Sequence, residues 1–134
     1  VEASRDNPVF YVQYAHARIC SILRKGESAS QISAGGDVSL LTHPTEQKLI
    51  QRMLELSDVI ETCVTDLAPH HLTTYAADLA GLFHAFYRDC QVLPSEARAM
   101  DSQLSAARVC LVKAVRIALA TTLGLIGVSA PESM

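Results

Sequence analysis

Residues 101–127, DSQLSAARVCLVKAVRIALATTLGLIG, decide the fold class. After a polar start at Asp101, Ser102 and Gln103 the stretch holds no further acidic residue and no proline. Leu104, Ala107, Leu111, Val115, Ala118 and Leu125 recur at steps of three, four and seven, the stripe of a helix laid against a core. From Leu104 on its charges, Arg108, Lys113 and Arg116, are all positive. Beyond Ile117 it is apolar on nearly every side, as a helix surrounded by others would be. Gly124 and Gly127 are expected to end it, and Pro131 forbids its return.

The chain upstream repeats this period. Pro69 opens HHLTTYAADLAGLFHAFYRDCQV, whose stripe is Leu72, Tyr75, Ala76, Leu79, Phe83, Phe86 and Cys90; Pro94 breaks it. Pro44 starts a helix with Leu49, Ile50, Met53 and Leu54 inward. Ser57 and Asp58 can cap another, with Val59, Ile60, Cys63, Val64 and Leu67 inward, unless the two are one bent helix. Asn7-Pro8 reads as an N-cap followed by proline at the first helical position. In that first helix Val12, Ala15, Ile19 and Leu23 share one face, Tyr11, Tyr14 and Arg18 another, and Gly26 is expected to close it. Residues 26–42, rich in Ser, Gly and Ala, have no helical period; a connection of this length is either functional or a tolerated flexible loop. No segment alternates as a strand does. The expected architecture is all-α, a single bundle of about five helices over 7–134. Residues 1–6 read as the remnant of a connection, because the chain opens on Val1.

A chain of 134 residues can bury a sizeable core without staples. Its net charge of −3 gives no overall basic field, so any nucleic-acid contact must come from a local patch. Cys20, Cys63, Cys90 and Cys110 form no CxxC pair and read as reduced, buried small hydrophobes. No signal peptide opens the chain, and the uncharged apolar run from Ile117 to Val128 is too short to span a bilayer. No membrane partner is expected.

No set of side chains has the spacing of a metal site. His70 and His71 are adjacent and should point to different faces; His16, Cys20 and Cys63 could meet, but nothing in their spacing requires it. A glycine-rich phosphate loop, a nucleophile elbow and an HExxH are all absent. One face of the fourth helix is more informative. His84, Tyr87, Arg88 and Gln91 follow at steps of three and four, and rings, a guanidinium and an amide suit unpaired bases. The alternative is an ordinary solvated face with Tyr87 half buried. Arg108, Lys113 and Arg116 have the same two readings: they hold phosphates, or they tie their helix to acidic neighbours.

Two segments carry a resemblance. NPVFYVQYAHAR, from Asn7 to Arg18, and the R-x-x-L of Arg108 to Leu111 with the ending LGLIGVSAPESM resemble the opening and closing signatures of the C-terminal, DALR-type anticodon-binding domain of arginyl-tRNA synthetase. The resemblance covers essentially the whole chain. It implies recognition of the anticodon loop of arginine tRNA by a piece of a cytoplasmic ligase. It implies an aromatic at Tyr87 against the loop bases and Met134 beside the anticodon. It places Tyr14, His16 and Arg18 in packing within the bundle and against the catalytic domain. The family usually ends Pro-Glu-Arg-Met; here Ser133 replaces the cation. The catalytic signatures, His-Ile-Gly-His and Lys-Met-Ser-Lys, are not in this chain, so ATP and Mg would belong to the catalytic domain, and this piece alone should be inactive. A competing reading from another class is a helical protein-interaction module that binds no RNA.

Overall fold

The computed structural model describes residues 7–28 and 36–134. They form five α-helices and one 3-10 turn: α1 (Pro8–Ser28), the turn Val38–Leu40, α2 (Pro44–Leu54), α3 (Leu56–Asp66), α4 (His70–Asp89) and α5 (Ser102–Ile126). Among the described residues there is no strand. Residues 1–6, read as a severed connection, and residues 29–35 of the Ser/Gly-rich stretch lie outside the described residues.

Helix starts follow local chemistry. Asn7 accepts from the Phe10 amide through its side chain and from Tyr11 through its carbonyl. Asp101 caps α5 by accepting from the Gln103 amide at 2.9 Å. The cap of α2 is His43, a residue the sequence does not advertise. Its Nδ1 accepts from the Thr45 amide, and Glu46 accepts in return from the His43 amide at 3.0 Å. Gly127, at φ 86°, terminates α5 in the left-handed region, whereas Gly124 lies inside the helix. Gly26 does not close α1; the helix continues through it to Ser28, and tertiary packing of the buried Gly26 overrides its poor propensity. A single residue, Glu55, separates α2 from α3, so they are two helices.

The core lies where α1, α4 and α5 meet, with α2 packed across α4. The predicted α4 stripe is buried throughout, from Leu72 to Cys90, with Tyr75, Phe83 and Phe86 fully enclosed. Each such aromatic contributes on the order of 2–3 kcal/mol through burial. Tyr75 also donates its hydroxyl to the Met53 carbonyl at 3.0 Å, tying α4 to α2.

Several residues expected inside are not. Leu54 and Val64 are each 70% exposed and Leu67 is 87% exposed. α3 buries none of its side chains fully, because it sits at the edge of the bundle and packs mainly on α4. The second half of α5 is not surrounded either: Ile117 is 62% and Leu125 is 53% exposed. By length and composition α5 could cross a membrane, but here it is the helix on which α1, α4 and the 3-10 turn pack. Gly36 touches it so closely that a Cβ would lie 2.6 Å from the Ala106 and Ala107 backbone.

Candidate nucleic-acid interface

Tyr87 stands at the C-terminal end of α4, half buried. Beneath it the buried Phe83 ring lies nearly parallel, centroids 6.1 Å apart. Above it the Arg18 guanidinium, from α1, is 4.6 Å from the ring centre. A cation over an aromatic face is worth about 0.5–1 kcal/mol at a partly exposed site. Tyr87 therefore touches both the buried Phe83 ring and the Arg18 guanidinium.

Beside this stack opens a cleft of about 440 Å³, bounded by Ile22 and Lys25 of α1, Tyr87 to Asp89 of α4, and the connection from Cys90 to Arg98. Its wall is held by side chains that capture carbonyls. Arg108 donates to the Gln91 carbonyl at 2.8 Å and Ser105 to the Val92 carbonyl at 2.7 Å. The Gln91 amide donates to the carbonyls of Leu93, at 3.0 Å, and Arg98, at 2.8 Å. Lys25, Arg88 and Arg98 line the cleft with one carboxylate, Asp89. With Arg18 the local balance is four cations to one anion, in a chain of net charge −3. These cations oppose the negative C-terminal ends of α1 and α4, which alone would disfavour phosphate. Asp89 pairs with Arg88 at 2.9 Å, and their hydrogen bond holds the Asp89 carboxyl below the usual carboxylate range.

The predicted face of α4 is thus divided. Tyr87, Arg88 and Gln91 line the cleft, although the Gln91 amide is spent on the loop and is not free to read a base edge. His84 turns toward α1, with ring centroids 5.4 Å from Tyr11 and 6.0 Å from Tyr14. Its Nδ1 faces Arg18 Nη1 at 3.5 Å, so the guanidinium donates and the ring accepts. Nε2 is buried without a partner among the described residues. Burial first, and the Arg18 charge second, push its pKa down to about 4. His84 is a neutral wedge behind Arg18 and brings no charge to the cleft.

Among the basic trio, Arg108 ties its helix to an acidic neighbour. Its Nε donates to Glu46 at 2.9 Å, with the Glu46 side chain 1% exposed and that of Arg108 13% exposed. It is not available to phosphate. Lys113 and Arg116 are half buried on α5 and do not line the cleft. Arg116 lies near Cys20, whose thiol burial pushes up. Met134 is 60% exposed at the end of a tail that lies along α1. Spacing alone missed Lys25 and Arg98 of the cleft and also Arg18, which lies on another helix than Tyr87. Its placement with Tyr11 and Tyr14 on one α1 face was the only available signal.

A larger groove, lined by Tyr11, Arg52, Ala77, Asp78, Gly81 and Leu82, holds one cation. Arg52 is already neutralised there by Glu55 at 2.6 Å and Asp78 at 3.2 Å. The rings of His70 and His71 do touch, with centroids 4.3 Å apart at the start of α4. Among the described residues no three metal-ligating side chains cluster, and all four cysteines are free, Cys20 and Cys90 buried and the other two half buried.

Residues 12–134 match the family model of the DALR anticodon binding domain. The chain belongs to that family. It is 50% identical over 131 residues to the arginine–tRNA ligase of Dehalococcoides mccartyi strain BAV1, covering 98% of this chain and 23% of the relative. With the Heliobacterium modesticaldum enzyme the identity is 46% over 138 residues, covering 98% of this chain and 24% of that protein. Among solved structures, Thermus thermophilus arginyl-tRNA synthetase superposes with a TM-score of 0.75 at 32% identity, over 92% of this chain and 21% of that one. The Plasmodium falciparum enzyme gives 0.73 at 27% identity, over 92% and 21%. This DALR domain thus spans about a quarter of the length of the ligases it matches, corresponding to their C-terminal region.

Proposed function

We propose that this DALR domain holds the anticodon loop of an arginine tRNA at the Tyr87 cleft. The observation that carries the reading is the Arg18–Tyr87 stack at the mouth of a cleft whose other cations are Lys25, Arg88 and Arg98. Ring and guanidinium planes take up unstacked bases, and the surrounding cations take the phosphates that flank them. Met134, implied by resemblance, remains part of this reading. Arg108, Lys113 and Arg116 leave it as direct contacts.

The domain performs no chemistry in this reading. Arginine activation with ATP and Mg belongs to the catalytic domain of a longer, cytoplasmic arginine–tRNA ligase, and the domain alone is inactive. Holding the anticodon helps seat the distant acceptor end in reactive geometry, an entropic contribution to the ligation. The catalytic domain is also a protein partner. The exposed Leu125 supports a contact there, since the chain just after α5 meets the second turn of α1.

Salt-dependent binding to a synthetic arginine-tRNA anticodon stem-loop tests the function. The expected result is affinity that falls as salt rises and exceeds that for a non-cognate loop. No binding at low salt, together with tight binding of a protein ligand, replaces this reading with the protein-interaction module.

A further inference from the structure

The cleft beside Tyr87 takes its charge from Arg18, Lys25, Arg88 and Arg98, and among the described residues a single acid, Asp89, lines it. That acid is placed unfavourably on two counts. Asp89 is the last residue of α4, where the helix dipole is negative and disfavours a carboxylate. It also repels any phosphate that enters the cleft. A cleft built to hold phosphates alone gains nothing from an acid at this point.

The fold does not depend on it either. Asp89 pairs with Arg88, its neighbour in sequence, and both residues are exposed; such a pair contributes little to stability. The pairing is also one-sided. Arg88 Nε donates to Oδ1 at 2.9 Å, whereas Nη2 stands 3.5 Å from Oδ2, at the limit of a hydrogen bond. Oδ2 therefore keeps lone pairs for an incoming donor. Because the bond from Arg88 holds the carboxyl below the usual carboxylate range, Asp89 is ionised at neutral pH. In that form it accepts hydrogen bonds and cannot donate them.

We propose that Asp89 is a specificity-determining residue for RNA binding: its Oδ2 accepts from the exocyclic amino group of a loop base held in the cleft. This rests on the reading that the anticodon loop occupies the Tyr87 cleft. Adenine, cytosine and guanine carry such an amino group and uracil does not, and acidic side chains accept from base amino groups in DNA readout. The cleft then divides its work. The cations take phosphates, which are the same in every sequence. The acid admits a base edge that donates and rejects one that presents a carbonyl.

The test uses the whole chain and synthetic arginine-tRNA anticodon stem-loops in which one loop base at a time lacks its amino group. Purine riboside replaces adenosine, inosine replaces guanosine, and pyrimidinone riboside replaces cytidine. At one loop position the deletion is expected to weaken binding to the wild-type chain about tenfold. In Asp89→Ala the same deletion should change affinity by less than about twofold, and deletions at the other positions should act equally on both chains. Asp89→Ala should keep the thermal midpoint of the wild type, because the side chain is exposed. A carboxylate that only restrains Arg88 would instead shift the affinity of every loop by one common factor. Such a common factor, with the unmodified stem-loop bound by wild type and lost in Tyr87→Ala, overturns this inference and leaves the functional reading standing. A wild-type chain that fails to bind the unmodified stem-loop overturns the functional reading and this inference with it.

Discussion

The Arg18 guanidinium covers a face of the Tyr87 ring at 4.6 Å. Phe83, the other neighbour of that ring, is fully buried, so Arg18 is the member of this group that can give way to a base. Tyr87→Ala removes the platform and is expected to weaken stem-loop binding by about 1–3 kcal/mol, with Tyr87→Phe near wild type. Arg18→Lys keeps the charge and loses the plane, so its affinity should fall between the two. Calorimetric titration at one fixed salt concentration checks all three.

The Glu46–Arg108 pair predicts a cost in stability and none in recognition. Arg108→Ala leaves a carboxylate that is 1% exposed without its cation. The expected loss is about 3–5 kcal/mol in urea denaturation. The double replacement Glu46→Leu with Arg108→Met should recover much of it. The salt slope of RNA binding, measured on folded protein, should not move with either.

His84 gives the fold a defined response to acid. Its folded pKa of about 4 lies below the ordinary 6.5, so between those values the unfolded chain binds more protons than the folded one. Its contribution to stability is fully present above about pH 6.5 and is lost progressively as pH falls toward 4. Urea midpoints measured across that window should show a slope that His84→Gln flattens. Arg18→Ala should raise the His84 pKa in an NMR titration, since the Arg18 charge is the second cause of the shift.

Leu67 ends α3 in the left-handed region at φ 51°, with its side chain 87% exposed. The conformation costs a branched residue about 1–2 kcal/mol and the side chain recovers almost nothing by packing. Leu67→Gly is therefore expected to stabilise the domain by about 1 kcal/mol, read as a higher thermal midpoint.

What the sequence revealed and what it hid divide along a physical line. Prolines 8 and 44 mark helix starts because proline at the first helical position is a local preference. The α4 stripe is readable because both sides of that helix have neighbours. Period alone says which residues share a face, and not how far a neighbour covers it; hence Leu54, Val64, Leu67 and Leu125 were placed inside and lie outside. The site was harder. Tyr87 meets Arg18 and Arg108 meets Glu46 across gaps that no helical spacing spans. His84 and Gln91 sit on the face expected of them, yet α1 draws one inward and the loop occupies the other. Function came from the resemblance of the two chain ends, since no catalytic or ligand-binding motif announced it.

The strap along α1 makes the tail a ruler. Because Gln13, His16 and Arg24 grip Ser129, Pro131 and Glu132 through their carbonyls, evolution can exchange letters there, Ser133 among them, without displacing Met134. It cannot change the count so freely: one residue added or removed beyond Pro131 would slide Met134 by about 3.3 Å, the rise of an extended residue. Register at this end is constrained by number where elsewhere it is constrained by identity.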